Sequence, residues 1–184
     1  MCDNCSDDCV KGCDDCKCDS GGCGCGCGAS DKLYVSWHHF DLMTQYLMEQ
    51  IKYEKFDHIV AVARGGLPLG TVLSHRLGIP LSVITIKSYD DNTDKQVALM
   101  SNVTTEELAK WRGNVLVCDD LADTGHTLLH LTNKIEGALA IGGCKDLHVV
   151  KFATLFYKPQ SVICPDFFVD TTTSWVVFPW EKQD

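Results

Sequence analysis

No apolar run in this chain approaches the roughly 20 residues that a membrane-spanning helix requires. Positive charge is scarce: 16 Lys and Arg stand against 25 Asp and Glu, a formal net charge of −9. That balance excludes general affinity for nucleic acid or an anionic membrane, since both need a basic face, but it leaves room for a local basic pocket. No positively charged stretch leads into an apolar one at the start, so no secretory signal is expected. Cysteine nearly vanishes after residue 27, where only Cys118, Cys144 and Cys164 occur. These three sit among apolar or mixed neighbours and read as small core residues. Without an export signal, their thiols are expected to stay reduced in the cytoplasm.

What is present divides the chain in two. Residues 1–30 hold nine of the 12 Cys, with Asp, Gly, Lys and Ser, and almost nothing aliphatic. Such a segment cannot build a core and should be disordered unless metal or disulfides tie it down. Cys2-x2-Cys5 and Cys13-x2-Cys16 have spacing suited to thiolate ligands, so Zn²⁺ is a candidate there, with Cu(I) also suited to soft sulfur. Nine is odd, so this segment cannot pair all its cysteines internally. Residues 31–184 form the second unit. With the whole chain 45% hydrophobic and 22% charged, it is long enough for one domain with a real core.

Ser36 is a plausible N-cap, followed by Phe40, Met43, Tyr46, Leu47 and Ile51 at helical spacing. His58 to Ala63 reads as a buried strand, Arg64 to Pro68 as a turn, and a short helix should then run to Leu77 and stop at Gly78. Leu81 to Ile86 is a second strand. Residues 87–112 are polar and aperiodic, which predicts a long mobile loop. Val115 to Cys118 is a third strand, Thr127 to Ile141 a helix stopped by Gly142-Gly143, Leu147 to Phe156 another strand, and Phe167 to Val169 a last short one. Strands alternating with helices predict an α/β fold with a mainly parallel sheet covered on both faces. Ligands of such sheets bind beyond the carboxyl ends of the strands. Arg64-Gly65-Gly66, Asp119-Asp120, Asp123 to Thr127 and Lys158 all follow predicted strands, so they should converge on one edge.

The densest signal is Asn114-Val-Leu-Val-Cys-Asp-Asp-Leu-Ala-Asp-Thr-Gly-His-Thr127. An apolar strand ends in two carboxylates, and a third precedes a small polar loop that opens a helix. The loop's N–H groups and hydroxyls can cradle a phosphate, aided by the helix N-terminus. Neither a Gly-Lys-Ser/Thr nor a G-x-G-x-x-G spacing is present, so this is not a Walker A or a dinucleotide loop. Hard carboxylate oxygens at Asp119 and Asp120 suit Mg²⁺, which is usually shared with substrate oxygens and water. As neighbours in an extended strand, the two should point to opposite sides.

Val115 to Thr127 resembles the phosphoribosyl-pyrophosphate (PRPP) motif of the type I phosphoribosyltransferases. The resemblance runs from about Tyr34 to Trp180. Val62-Ala-Arg-Gly-Gly66 is similar to the pyrophosphate loop of the 6-oxopurine branch. Phe156-Tyr-Lys-Pro159 and Thr173-Ser-Trp-Val-Val-Phe-Pro-Trp180 resemble base-recognition segments of bacterial xanthine–guanine phosphoribosyltransferases.

This resemblance implies a twisted parallel sheet with a small base-binding hood, and transfer of a phosphoribosyl group from PRPP to guanine, xanthine or hypoxanthine with release of pyrophosphate. It also implies a homodimer or homotetramer. It assigns Arg64, Gly65, Gly66 and Lys95 to the pyrophosphate, and Asp119 and Asp120 to ribose and Mg²⁺, partly through water. Asp123 becomes the general acid/base, and Thr124, Gly125, His126 and Thr127 hold the 5′-phosphate. Lys158 would meet the purine 6-oxygen, Trp175 the ring face, and the Val176 backbone the 2-position. Family members often have a cis peptide entering the pyrophosphate loop, which points to Ala63–Arg64. His126 departs from the pattern, since Gly is common there. Trp180 reads as core. Alternatives are a phosphoribosyltransferase for another base, a non-catalytic PRPP-binding regulator, or a metal-buffering protein built on the cysteine-rich head.

Overall fold

A computed structural model describes residues 32–89, 98–101 and 103–181. Cys2, Cys5, Cys13 and Cys16, the rest of the 1–30 extension, and Lys95 lie outside the described residues. The elements run β1 (Lys32–Tyr34), α1 (Trp37–Ile51), β2 (His58–Ala63), α2 (Leu67–Leu77), β3 (Leu81–Tyr89), β4 (Ala98–Ser101), α3 (Thr105–Leu108), β5 (Gly113–Ala122), α4 (His126–Ala140), β6 (Leu147–Tyr157), β7 (Phe167–Thr171) and β8 (Trp175–Val177).

Local chemistry sets most of these boundaries. The Ser36 hydroxyl accepts from the His39 N–H at 3.1 Å and starts α1. Phe40, Thr44, Leu47 and Ile51 recur every three or four residues and form its buried stripe. Pro68 lies in the first turn of α2, and Gly78 ends that helix at φ 67°, a left-handed conformation open to glycine.

Strands β4-β3-β2-β5-β6-β7 lie side by side in that order, all parallel except the antiparallel β3–β4 pair. Alternation along β2 and β5 sorts their side chains to two faces. Val60, Val62, Val115 and Val117 meet α3 and α4 residues on one side. Ile59, Leu116 and Cys118 meet α1 and α2 residues on the other. Covering both faces explains why these strands read as continuous apolar runs rather than as alternating ones.

Three features differ from expectation. The 87–112 stretch, expected as a loop, contains the end of β3, all of β4, and α3. β4 exists through its pairing with β3, with Ile86 opposite Ser101 and Tyr89 opposite Ala98; a four-residue strand is too short to show a period. α3 is capped by Thr104, whose hydroxyl accepts from the Glu107 N–H at 3.2 Å, and Val103, Leu108 and Trp111 anchor it in the core. Second, β1 and β8 form a separate parallel pair, with Leu33 opposite Val176. This pairing ties the start of the domain to the segment that carries Trp175. Third, Cys164 is exposed, whereas Cys118 and Cys144 are buried; it lies in the irregular segment between β6 and β7, outside the helical and sheet layers. Among the described residues no helix is long and apolar enough to cross a membrane.

Trp111 is fully buried, and its indole N–H has no hydrogen-bond partner among the described residues. Replacing it with Ala should cost ~3–5 kcal/mol through lost contact and cavity formation. Trp111→Phe should cost much less, because it keeps most of the ring volume and removes the orphan donor. Denaturant midpoints of the two variants measure the difference; equal losses would show that the indole N–H is satisfied.

Candidate active site

Strands β2, β5 and β6 end at the same edge of the sheet, and the predicted residues gather there. The chain leaves β2 through a cis peptide at Ala63–Arg64, which puts the exposed Arg64 at the head of a tight turn. A Cβ on Gly65 would lie 2.2 Å from Asp120 Oδ2, and one on Gly66 would lie 2.2 Å from the Cys118 carbonyl oxygen. The turn after β2 is therefore pressed against the acidic tip of β5, an approach that only glycine permits. The Gly66 N–H donates to the Val62 carbonyl at 2.9 Å. It is already used within the turn, so Gly66 acts here by close packing rather than as an open donor.

Asp119 and Asp120 still belong to β5, which runs on to Ala122. The simple expectation of opposite directions misses a local contact: Asp119 Oδ1 accepts from the Asp120 N–H at 3.0 Å. Burial pushes the Asp119 carboxyl well above the usual carboxylate range, and the charge of Asp120 adds to the effect. Asp120 is pushed up to about 6, by burial first and then by the Glu181 carboxylate, against the opposing hydrogen bond from the Leu121 backbone. Among the described residues neither aspartate has an ion-pair partner. Their hard oxygens suit a divalent cation, whose charge would offset the burial that disfavours the carboxylates. No cluster of three or more His, Cys, Asp or Glu capable of caging a metal occurs among the described residues. A cation here would therefore draw its other ligands from substrate and water.

Beyond β5, Asp123-Thr124-Gly125 turns the chain into α4. Gly125 is left-handed at φ 77°, and a Cβ on it would lie 2.3 Å from Ser161 Oγ. His126 opens the helix, exposed to solvent. Its N–H lies 3.5 Å from Thr124 Oγ1. Thr124 is exposed and Thr127 half-buried. The first turn of α4 thus presents backbone N–H groups and hydroxyls together with the positive end of a 15-residue helix.

The facing wall of the site is built from β6 and β8. Lys158 directly follows β6, and its N–H donates to the Ala122 carbonyl at 3.0 Å. It is only 6% exposed, unlike an ordinary lysine at a strand end. Its ammonium donates to Asp123 Oδ2 at 3.1 Å and lies 5.9 Å from the centroid of the Trp175 ring. Trp175 is 62% exposed, while Val176 is buried. Trp180 stacks on Phe178, with centroids 4.7 Å apart and planes 7° from parallel, which fits its reading as core. A cavity of about 200 Å³ is lined by Asp120, Asp123, Lys158, Trp175 and Val176, joined by Leu121, Phe178 and Glu181.

Two polar residues of this site escape a reading of the sequence. Gln160 Nε2 donates to Asp123 Oδ1 at 3.2 Å. Glu181 Oε2 accepts from the Phe178 N–H at 2.9 Å, while the Glu181 N–H returns to the Phe178 carbonyl. Gln160 directly follows Pro159 and Glu181 follows Pro179 by two residues, each in a turn beside the cavity. Pro159 and Pro179 were the available signals.

The phosphoribosyl transferase domain family matches residues 39–183. A xanthine-guanine phosphoribosyltransferase of Idiomarina loihiensis is 30% identical over 157 residues, covering 83% of this chain and 88% of that one. The crystal structure of a purine phosphoribosyltransferase from Pyrococcus horikoshii superposes with a TM-score of 0.70 at 32% identity, covering 84% of this chain and 97% of that one. A xanthine-guanine-hypoxanthine phosphoribosyltransferase of Helicobacter pylori shares the fold, with a TM-score of 0.64 at 24% identity over 82% of this chain and 94% of that one. An acidic strand tip pressed against a glycine turn, a helix-opening Thr-Gly loop and these matches agree: the chain belongs to the phosphoribosyltransferase family and is an enzyme of that class.

Proposed function

We propose that this phosphoribosyltransferase joins the 5-phosphoribosyl group of PRPP to guanine, xanthine or hypoxanthine and releases pyrophosphate, in purine salvage. The observation that carries the reading is the cavity in which Asp120 and Asp123 of the donor side face Lys158 and Trp175. Lysine has three donors and no acceptor. A buried ammonium in that cavity complements a 6-oxo group and opposes the donor N–H of a 6-amino group. The name of the Idiomarina loihiensis relative supports the same acceptor class, and that of the Pyrococcus horikoshii relative supports a purine acceptor.

In the reaction, the bond from the ribose anomeric carbon to pyrophosphate breaks, and a bond to a purine ring nitrogen forms. Charge develops on the leaving pyrophosphate, so its neutralisation governs the barrier. Arg64 lies beside the turn that would hold it. Lys95 is proposed for the same group on sequence grounds. The N–H groups and hydroxyls of Thr124, Gly125, His126 and Thr127 would hold the 5′-phosphate. Asp119 and Asp120 would hold ribose hydroxyls and Mg²⁺, partly through water; the ion, when bound, supplies positive charge to the leaving group. Asp123 would take the proton at purine N7. Trp175 would cover the ring face, and the Val176 backbone would meet the 2-position.

We place the enzyme in the cytoplasm as a homodimer or homotetramer. Exposed Leu139, Ile141 and Val149 support self-association. Zn²⁺ on Cys2, Cys5, Cys13 and Cys16 is proposed from their spacing alone.

Pyrophosphate release should require PRPP, Mg²⁺ and a 6-oxopurine. Adenine should react at least about 100-fold less well, because a donor would face a donor. A panel of guanine, xanthine, hypoxanthine, adenine, uracil and orotate measures this, and adenine as the best acceptor would sink the assignment of Lys158. Asp123→Asn should lower kcat by about 10²–10³-fold, within the usual contribution of a general base, while changing PRPP affinity by no more than about threefold. Equal losses would assign Asp123 to binding. Gly65→Ala should weaken PRPP binding by about tenfold or more, since its methyl would displace the Asp120 carboxylate and a small misplacement at a reacting site is costly. Titration calorimetry reads the affinity, and an unchanged value would show that the turn can yield.

A further inference from the structure

We infer that Gln160 is a positioning residue, aiming the Asp123 carboxylate at the acceptor base through a turn that fastens the base side of the cavity to the phosphate loop. The inference rests on the reading of Asp123 given above.

Asp123 has both carboxylate oxygens engaged. Lys158 Nζ donates to Oδ2 at 3.1 Å, and Gln160 Nε2 donates to Oδ1 at 3.2 Å. Lys158 and Gln160 are two residues apart on one turn, with Pro159 between them fixing a backbone angle. That turn is anchored on either side of Asp123. The Lys158 N–H donates to the Ala122 carbonyl and the Val162 N–H to the Thr124 carbonyl, each at 3.0 Å. Ser161 holds the turn internally: its N–H donates to the Lys158 carbonyl at 2.9 Å and its hydroxyl to the Ile163 carbonyl at 2.7 Å. The backbone from which Gln160 extends is thus registered to the backbone of Asp123.

The two donors differ in what the reaction asks of them. Lys158 also faces the cavity and Trp175, so a 6-oxo group competes with Asp123 for its ammonium. Gln160 lies outside that competition, since it does not line the cavity. As the lysine turns to the base, the amide still holds Oδ1 and the carboxylate keeps its direction. Because the amide is neutral, it restrains Asp123 with less loss of basicity than a second cation would cause. The charged groups lining the cavity beside this pair are Asp120 and Glu181.

Steady-state kinetics with PRPP and guanine on Gln160→Ala and Gln160→Glu test the role. Gln160 is exposed, so both variants should fold with unchanged thermal midpoints. Gln160→Ala should lower kcat by about five- to tenfold, a fraction of what a general base supplies, with the KM for PRPP within about twofold. Gln160→Glu is isosteric but sets a carboxylate against a carboxylate, and should lower kcat by about another tenfold. A space-filling role predicts the reverse order, with Glu near wild type and Ala worse. Wild-type rates in Gln160→Glu, or matched losses in kcat and PRPP affinity, would overturn the inference while leaving the transferase reading intact. A wild-type enzyme that releases no pyrophosphate with any base would overturn that reading and this inference together.

Discussion

The site depends on one close approach: the Gly65-Gly66 turn against the end of β5. Cβ atoms at either position would come within 2.2 Å of Asp120 Oδ2 or the Cys118 carbonyl oxygen. Because nothing larger than hydrogen fits, the turn after β2 and the acidic tip share one small volume. Arg64 heads that turn after a cis peptide bond. The backbone of the turn and the two carboxylates are thereby held in register before any ligand arrives.

Charge organises the rest. A chain with a net charge of −9 must bind a polyanion. Its overall field repels such a substrate, so recognition falls to local features. Arg64, the first turn of α4 and the buried Lys158 give local positive potential at the carboxyl ends of the strands. Burial holds Asp119 above the usual carboxylate range and brings Asp120 up to about 6, so two negative charges are disfavoured at the acidic tip and a cation would offset that cost. Lys158 tolerates burial because Asp123 balances it at 3.1 Å.

Much of this was legible in the chain. Apolar runs ending in Arg-Gly-Gly, Asp-Asp and Tyr-Lys-Pro located three strands and the edge where they end, because side-chain periodicity and turn residues act locally. The cis bond at Ala63–Arg64, the parallel sheet and the core role of Trp180 came out as expected. β4 and the β1–β8 pair did not show in the sequence, since strands of three or four residues draw their stability from partners distant along the chain. Cys164 was misjudged because its neighbours are apolar while its segment lies outside the packed layers. Gln160 and Glu181 were passed over because a lone polar residue after a proline turn carries no pattern of its own.

The sequence alone determined the chemistry available: which strands would be buried, which carboxylates and cations would follow them, and that a small polar Thr-Gly loop would open a helix. These follow from local rules of spacing and capping. Only the tertiary structure decided how those groups meet. It pairs Lys158 with Asp123, sets Gln160 on the free carboxylate oxygen, uses the Gly66 N–H within its own turn, and turns Glu181 back toward Asp120. Each of these contacts joins residues through backbone geometry that forms only when the sheet assembles, and no periodicity along the chain encodes a distance across it.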